Sequence, residues 1–323
     1  MKAFVTGGSG FIGGRLIERL VGDGVGVQAL ARSDRSAAAV DARGAEPVRG
    51  ELADVDALTA GARDCDTVFH LAANVEMWAP WDDFVRDNVV GTQNVLDAAK
   101  AAGVTRFVHC GTEAALIAGE PLRNVDETAP LRPDSPAPYA ATKARAEQAV
   151  REANSEDLET VVIRPRFVWG AGDTTLLPNM AQMAKTGRFA WIGGGKQLTD
   201  VTHVDNVVEG LVLGASNGRG GEAYFVTDGE PVVFREFVSA LLQTQGVDAP
   251  DRSIPTWVAG PMATLCENLW RFGHLPGAPP LTRFAYWVSS QECTIDISKA
   301  RRELGYRPVK GRAQGLAELR ATR

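Results

Sequence analysis

The sequence predicts an α/β protein: a doubly wound parallel sheet with a smaller, mostly helical C-terminal lobe. Short β-rich runs alternate with amphipathic stretches in the first half, a glycine-rich turn follows the first run, and the alternation stops near residue 165. Strands alternating with helices are joined by βαβ crossovers, which give a parallel sheet covered on both faces. We expect residues 1–165 and 199–226 to form the sheet domain, and residues 166–198 and 227–323 to form the smaller lobe.

The expected strands are short and rich in β-branched residues. In order they are KAFVT (2–6), VGVQALA (25–31), AEPVRG (45–50), DTVFHLA (66–72), RFVHC (106–110) and ETVVIR (159–164). Stretches such as FIGGRLIERLVG and NVVGTQNVLDAAKAAG place apolar residues at helical intervals between them. Further on, TDVTHVDNVVEGLVLGA (199–215) and AYFVTD (223–228) predict strands and a helix that return to the main sheet.

The smaller lobe is punctuated by Pro and Gly, and three of the seven tryptophans lie between residues 257 and 287. This apolar stretch has two interpretations. It forms the wall or lid of a site for a hydrophobic substrate, or it packs as ordinary core.

Composition excludes several classes of protein. The 323 residues are 45% hydrophobic and carry a formal charge of -6, so no broad positive field is available for nucleic acid. No apolar run is long enough for a membrane span, Met1 leads into a strand rather than a signal peptide, and scattered cysteines fit a reducing, cytoplasmic setting. No metal-ligand spacing appears among the cysteines and histidines, which are Cys65, Cys110, Cys266, Cys293, His70, His109, His203 and His274.

The glycine-rich turn TGGSGFIGG (6–14) lies between a predicted strand and a predicted helix. Gly8, Gly10 and Gly13 match G-x-G-x-x-G, while Gly7, Gly10 and Gly13 match T-G-x-x-G-x-x-G. Glycine permits close approach of the backbone to a ligand, and a helix N-terminus presents free N–H groups to an anion. In this context the turn predicts a dinucleotide site of the Rossmann type.

The end of the second strand indicates which dinucleotide binds, because an acid there binds the ribose hydroxyl whereas an arginine accommodates a 2′-phosphate. Ala31 occupies the expected acid position, and Arg32 and Arg35 follow closely. NADP is favoured, although Asp34 could bind the ribose of NAD. Two residues after the third strand are expected to border the adenine: Glu51 and Leu52.

A candidate catalytic group lies in PYAATKARAEQAV. Tyr139 and Lys143 are four residues apart on a predicted helix, so they project from one face. A nearby ammonium is expected to lower the tyrosine pKa from its reference value, making Tyr139 an acid or base at neutral pH. Thr112 supplies a hydroxyl to a substrate oxygen or is a simple turn residue. Asn88 either binds backbone and orders the site or has no part in it.

In combination these motifs resemble the extended short-chain dehydrogenase/reductases, which include nucleotide-sugar epimerases and dehydratases. TGGSGFIG, HLAA (70–73), YAATK, RPRFVWG (164–170) and THVDNVV (202–208) follow the family's order over nearly the whole chain. The ending PPLTRFAYWVSSQECTIDISKARRELGYRP is similar to the 3β-hydroxysteroid dehydrogenase-like branch. The residues expected to contact the cofactor are Gly7, Gly10, Phe11, Ile12, Gly13, Arg32, Arg35, Glu51, Leu52, Leu71, Ala72, Ala73, Tyr139 and Lys143.

The resemblance implies that Tyr139 is the acid/base, Lys143 its partner and the ribose ligand, and Thr112 the oxygen-binding hydroxyl. It implies a homodimer through helices near residues 84–102 and 139–153. In this sequence threonine replaces the serine often found at position 112, and the usual acid after the second strand is absent, which weakens an NAD assignment.

Three functions are compatible with these observations. The first is an NADP(H)-dependent oxidoreductase that interconverts a secondary alcohol and a ketone on a hydrophobic, steroid-like or alkyl substrate. The second is a nucleotide-sugar epimerase or dehydratase with bound NAD, which is weakened because Thr199 stands where such relatives have arginine and because Glu113 is followed by Ala114 rather than a second acid. The third is a nonenzymatic NADP sensor, which would not need Tyr139 and Lys143.

Overall fold

The computed structural model describes residues 1–273 and 275–321, so His274 lies outside the described residues. The strands, in chain order, are β1 (Lys2–Thr6), β2 (Gly26–Ala31), β3 (Glu46–Arg49), β4 (Thr67–His70), β5 (Arg106–Cys110), β6 (Leu122–Val125), β7 (Glu159–Pro165), β8 (Val168–Trp169), β9 (Trp191–Ile192), β10 (Leu198–Thr199), β11 (Thr202–His203), β12 (Glu222–Val226), β13 (Val232–Val233), β14 (Ser253–Ile254) and β15 (Cys293–Ile295).

The helices, in chain order, are α1 (Phe11–Gly22), α2 (Asp34–Asp41), α3 (Val55–Ala62), α4 (Trp81–Phe84), α5 (Gly91–Ala101), α6 (Pro138–Glu152), α7 (Leu176–Lys185), α8 (Val204–Asn217), α9 (Phe234–Thr244), α10 (Thr256–Gly273), α11 (Arg283–Ser290) and α12 (Arg312–Ala321). A π-helical segment, Val85–Val90, joins α4 directly to α5. A short 3-10 turn, Glu113–Leu116, follows β5.

The predicted doubly wound sheet is confirmed. Seven parallel strands lie in the order β12-β7-β5-β4-β1-β2-β3. The chain leaves β1 toward β2 on one side and returns to β4 on the other, so the strand order reverses between β1 and β4. In open α/β sheets the carboxyl ends of the strands at such a point form the ligand crevice.

The strands are buried because helices cover both faces of the sheet. All four residues of β4 are buried, and so are the last four residues of both β1 and β5. The first helix, α1, turns Leu16, Ile17 and Leu20 toward the sheet. The apolar periodicity of the sequence therefore predicted β1 and α1 at the residues where the structure has them.

The second half of the chain contains a small sheet of its own, in the order β13-β10-β15-β6. Its edge strand β6 comes from the first half of the chain and pairs with β15. We expected the strand and helix of residues 199–215 to return to the main sheet. This is wrong for the strand β11, which pairs with β8 in a separate two-stranded sheet. The following helix α8 does pack on β7. The proposed lobe boundaries stay a prediction.

A buried ion pair fixes α6, the helix that carries Tyr139, to the sheet. Glu147 and Arg164 are both fully buried, and Arg164 Nε lies 3.0 Å from each Glu147 carboxylate oxygen. The guanidinium also lies 5.1 Å from the centre of the Phe225 ring. A shift of α6 along β7 would separate the two side chains and leave both buried charges unpaired, which is costly. The ion pair therefore holds α6 in one position along β7.

None of the helices in the described part of the chain combines the length and the apolarity that crossing a membrane requires.

Candidate active site

The glycine turn lies at the carboxyl end of β1 and touches the segment after β4. Gly7 has a φ of 74°, and a Cβ there would lie 2.7 Å from the backbone nitrogen of Ala72. A Cβ on Gly13 would lie 2.2 Å from the carbonyl oxygen of Gly7. Both distances are shorter than any real contact, so the turn needs glycine at both positions.

Helix α1 begins directly after this turn, with Gly10 at its N-cap and no side chain capping its end. The first turn contains Phe11, Ile12 and Gly13, whose N–H groups have no acceptors within an α-helix. These groups and the helix dipole point toward the crevice, so the residues present fit a bound pyrophosphate.

The two arginines proposed for the 2′-phosphate follow β2 at the same edge of the sheet. Ala31 is buried, whereas Arg32 and Arg35 are exposed at the start of α2. Asp34, the alternative ribose ligand, forms an exposed ion pair with Arg49 at 3.1 Å. The structure therefore places two cationic side chains near the end of β2 and a carboxylate that already has a cationic partner.

The remaining proposed cofactor contacts surround the turn. Leu71, Ala72 and Ala73 follow β4, and the Leu71 N–H donates to the carbonyl oxygen of Thr6 at 3.2 Å. Leu52 packs near Gly91, and its carbonyl accepts from Asn94 Nδ2 at 2.8 Å. Glu51 is exposed. All lie after the carboxyl ends of β3 and β4, where a dinucleotide would cross the sheet.

Thr112, Tyr139 and Lys143 meet beyond the end of β5. Lys143 is buried, and its ammonium donates to the Cys110 carbonyl at 3.0 Å. Tyr139 lies one helical turn earlier on α6, where its hydroxyl is within hydrogen-bonding reach of the Thr112 side chain. Three side chains from two elements of the sheet domain therefore converge, as the motif spacing indicates.

We expected Lys143 to lower the pKa of Tyr139. This is wrong, because the protein groups around Tyr139 raise its pKa. Burial raises the pKa of Tyr139, and the nearby Glu113 carboxylate raises it further, while the Thr112 side chain acts in the opposite direction. Burial also lowers the pKa of Lys143. The ammonium bonds to the end of β5, and burial together with Glu113 decides the direction of the shift in the pKa of the phenol. At neutral pH Tyr139 is therefore a protonated acid.

Sequence reasoning did not identify the buried ion pair beside these residues. Glu113 Oε1 lies 2.5 Å from Arg166 Nη1, and Glu113 Oε2 accepts from the Thr112 hydroxyl at 2.8 Å. Arg166 also donates to the Thr199 hydroxyl at 3.2 Å and 3.3 Å. The pair orients Thr112 and places a negative charge near Tyr139. Glu113 directly follows Thr112, but only the fold shows that Arg166 faces it.

Glu113→Gln is expected to shift toward lower pH any activity that uses Tyr139 as a base. Removing the negative charge lowers the pKa of Tyr139, so the phenolate required as a base forms at lower pH. The pH dependence of kcat measures the shift, and a thermal melt verifies folding because Arg166 loses its partner. Glu152→Gln, at the exposed end of α6, is the matched control. An unchanged or alkaline-shifted profile in Glu113→Gln would contradict this assignment.

Two buried histidines connect Lys143 to the glycine turn, which the sequence also did not reveal. Lys143 Nζ lies 3.3 Å from His109 Nε2, and the His109 and His70 rings are 5.3 Å apart. His70 Nδ1 lies 2.7 Å from the hydroxyl of Thr6, the residue before Gly7. Burial and the Lys143 charge lower the pKa of both imidazoles, so they are neutral. Lys143 is thereby fixed in place relative to the turn.

Asn88 lies in the π-helical segment and binds backbone, one of the two roles considered for it. Its Oδ1 accepts from the Asn74 N–H at 2.7 Å, and its Nδ2 donates to the Asn74 carbonyl and to the Thr142 hydroxyl, each at 3.1 Å. Thr142 precedes Lys143 on α6. Asn88 therefore holds the segment after β4 against the helix that carries the catalytic pair.

The tryptophan-bearing stretch divides into two parts. Trp287 is buried in a cluster with Ile117 and Ala140, and Phe284 of the same helix contacts Tyr139 edge-on at 5.4 Å between ring centres. Trp257, at the start of α10, is 78% exposed. Helix α11 therefore forms an apolar wall beside Tyr139, whereas the outer face of α10 does not.

A cluster of potential metal ligands lies away from this site, although the sequence showed no such spacing. Ligand atoms of His203, Asp205 and Glu318 lie within 4.8 Å of one another. The Lys310 ammonium lies 3.4 Å from Asp205 Oδ2 and 2.5 Å from Glu318 Oε1. Arg15 Nη2 lies 2.9 Å from Asp205 Oδ1, so two protein cations already balance the two carboxylates of this cluster.

Comparisons with known proteins agree with this geometry. The model of the 3-beta hydroxysteroid dehydrogenase/isomerase family matches residues 4–256. The chain is 47% identical to the 4-hydroxy-2-methyl-3-oxo-4-farnesyl-3,4-dihydroquinoline-1-oxide ketoreductase of Stigmatella aurantiaca, over 99% of this chain and 96% of that protein. It is 39% identical to the 2-alkyl-3-oxoalkanoate reductase of Stenotrophomonas maltophilia (strain K279a), over 100% and 99% of the two chains.

Among solved structures, the chain resembles the DesIV double mutant, a dTDP-glucose 4,6-dehydratase from Streptomyces venezuelae with NAD and DAU bound. The TM-score is 0.78 at 28% sequence identity, and the match covers 99% of this chain and 96% of that one. The resemblance to extended short-chain dehydrogenase/reductases is therefore confirmed. The chain belongs to the 3-beta hydroxysteroid dehydrogenase/isomerase family and is an oxidoreductase acting on CH–OH or keto groups.

Proposed function

We propose that this protein is an NADP(H)-dependent ketoreductase that interconverts a ketone and a secondary alcohol on a hydrophobic substrate. The observation that carries the proposal is the continuous series of contacts from Thr6, beside the glycine turn, through His70 and His109 to Lys143 on α6. This series relates the glycine turn to α6, the helix that carries both Lys143 and the proposed proton donor Tyr139. The ketoreductase names of the two relatives support the same reaction class.

The side chains suit the reduction direction. When bound, a reduced nicotinamide supplies hydride to the carbonyl carbon. Tyr139, kept protonated by burial and by Glu113, donates its phenolic proton to the carbonyl oxygen. To serve the same oxygen, the Thr112 hydroxyl exchanges its Glu113 acceptor for that oxygen. Lys143, one turn along α6, is held in place by its bond to the Cys110 carbonyl. Alcohol oxidation reverses these proton movements and requires the phenolate.

An apolar substrate is supported by what surrounds Tyr139. The tyrosine packs in a cluster with Phe284, Tyr286 and Trp287 from α11. Aromatic side chains bury large apolar areas and leave few unpaired polar groups. The two named relatives act on a farnesyl quinoline and on alkyl oxoalkanoates, which are also hydrophobic. We therefore place the substrate among long-chain, branched or polycyclic ketones.

The alternative of a nucleotide-sugar enzyme needs a cation for the diphosphate, and Arg166 is already paired. Arg166, which follows β7, is only 1% exposed and is committed to Glu113 and Thr199. Thr199 itself accepts from that arginine instead of offering a positive charge to a diphosphate. The likeness to the dTDP-glucose dehydratase is therefore one of fold and general cofactor class.

A substrate panel tests the proposal. Oxidation of NADPH and NADH is followed with hydrophobic 3-oxo compounds, and UDP- and dTDP-sugars are assayed in parallel. We expect stoichiometric NADPH oxidation with one or more hydrophobic ketones and no conversion of sugar nucleotides. Conversion of a sugar nucleotide without net cofactor consumption would refute the proposal.

Arg32→Ala is expected to raise the KM for NADPH by roughly 10- to 100-fold and to change that for NADH less than about threefold, because charge-assisted bonds to phosphate contribute about 1.5–3 kcal/mol. Steady-state kinetics with both cofactors measures the difference. The matched control is Arg63→Ala, which removes another exposed arginine at the end of α3. Equal effects on the two cofactors, or none, would reject Arg32 as the phosphate ligand. The homodimer through residues 84–102 and 139–153 stays a prediction.

A further inference from the structure

Helix α10 turns its large apolar side chains outward and a carboxylate inward. Its buried residues are Ala259, Ala263 and Glu267. The large apolar side chains on the opposite face are exposed: Trp257 by 78%, Leu265 by 59%, Leu269 by 52% and Phe272 by 77%. We call these four residues the α10 stripe. A surface helix ordinarily shows the reverse pattern, so the stripe indicates a partner outside the chain.

The charge around the stripe is positive, although the whole chain carries -6. Between residues 252 and 291 the sequence holds one carboxylate, Glu267, which is buried and accepts from the Arg283 N–H and Nε at 2.7 Å and 2.6 Å. Arg252 and Arg271 are exposed near the two ends of the helix, and Arg271 lies over the Trp78 ring at 5.9 Å. Asp251, which precedes Arg252, is exposed and pairs with Arg235 at 3.0 Å, so this end keeps a net positive charge. The surface that contains the stripe is thus apolar with basic ends.

We propose that the α10 stripe docks on an anionic lipid surface, with the helix lying in the plane of the interface. An apolar face with flanking Lys or Arg and aromatic residues is the pattern of interfacial helices. From Trp257 to Phe272 the stripe extends about 22 Å along the helix axis, long enough to lie flat on a bilayer. Exposed arginines near an anionic surface add electrostatic attraction to the apolar contact.

A second copy of the chain fits this face less well. A stable protein interface uses about 20–30 residues on each side, whereas the stripe is one row on a single helix. A symmetric antiparallel pairing of two α10 helices would also bring the Arg271 end of one copy against the Arg252 end of the other. Like charges would then face each other at both ends.

The docked face lies close to the candidate active site. The inner side of α10 packs on α11, where Tyr286 contacts Gly260, and Phe284 of the same helix touches Tyr139. One helix therefore separates the proposed lipid surface from the acid/base. The docking proposal does not depend on the proposed function, because lipid binding is measured without turnover.

Vesicle flotation tests the proposal. The full chain is mixed with phosphatidylcholine vesicles and, separately, with vesicles that contain about 30 mol % phosphatidylglycerol. We expect flotation with the anionic vesicles and a partition coefficient lowered at least about tenfold in Trp257→Ser/Leu265→Ser/Phe272→Ser, since each exposed side chain contributes apolar burial in the interface. Arg271→Glu should weaken binding to anionic vesicles and leave the low binding to phosphatidylcholine unchanged.

The matched control is Val55→Ser/Met183→Ser/Val309→Ser, which removes three exposed apolar side chains elsewhere. It should float like the unmodified protein, and circular dichroism melts verify that both triple variants fold. Failure of the unmodified protein to float with anionic vesicles overturns the proposal, as does equal flotation of the two triple variants. Sedimentation equilibrium adds a further arm: a dimer that the stripe variant converts to monomer, without vesicle binding, would assign the face to a second copy.

Discussion

Replacing Tyr139 by phenylalanine is expected to lower kcat by roughly 10²- to 10⁴-fold, the usual contribution of a positioned general acid. The substitution removes one oxygen and keeps the ring, so the edge-on contact with Phe284 and the cluster around Trp287 remain. Dissociation of NADPH should change by less than about twofold, because the glycine turn and the start of α1 are untouched. Turnover is followed by NADPH absorbance, and affinity by quenching of protein fluorescence.

Tyr224→Phe is the matched control. It removes the same atom from a tyrosine of β12, whose hydroxyl bonds to Glu303 away from the crevice. We expect a loss of about 1 kcal/mol in unfolding free energy and little change in kcat. Turnover by Tyr139→Phe within a few fold of the unmodified protein would overturn the acid/base assignment. A large loss of NADPH affinity in that variant would instead assign Tyr139 to cofactor binding.

Substituting Gly13 by alanine is expected to abolish detectable NADP(H) binding. The new Cβ would meet the Gly7 carbonyl oxygen at 2.2 Å, and backbone atoms cannot yield as the end of a flexible side chain can. The turn must open or α1 must shift, and either movement displaces the N–H groups that face the pyrophosphate. We also expect a loss of unfolding free energy of about 1–3 kcal/mol from this overpacking. Calorimetric titration and chemical denaturation measure the two effects.

Gly22→Ala is the matched control, because it adds the same methyl group to the same helix, α1. A Cβ on Gly22, the last residue of α1, would meet nothing within 4 Å. Gly22→Ala should bind cofactor normally and gain up to about 1 kcal/mol of stability, since alanine restricts the unfolded chain more than glycine does. Normal NADPH affinity in Gly13→Ala would contradict the assignment of the turn. An equal loss of NADPH affinity in both variants would show that the added methyl group disturbs α1 in general and not the glycine turn.

Much of the fold and part of the site were accessible from local patterns. The alternation of apolar runs located the strands of the main sheet, and the glycine spacing located the turn before α1. The four-residue interval placed Tyr139 and Lys143 on one face of a helix, which α6 shows. These predictions succeed because each depends on the chemistry of a few adjacent residues, and backbone geometry transmits that chemistry directly to local structure.

Other features depend on residues distant in the sequence. The short strand β11 could not be assigned to a sheet from its two residues, because β8 supplies its partner. Likewise, β6 belongs to the small sheet only through its pairing with β15, about 170 residues later in the chain. Pairing of this kind is set by tertiary packing, and no local propensity records it.

By itself, the sequence determined the doubly wound fold, the dinucleotide turn and the candidate catalytic pair, because these follow from periodicity and spacing within short segments. Only the tertiary structure decided the direction in which the pKa of Tyr139 shifts, since burial and the Glu113 charge raise it and neighbours along the helix do not reveal either effect. Electrostatic energies depend on distance and burial in three dimensions. For the same reason, only the folded chain shows which face of α10 meets solvent.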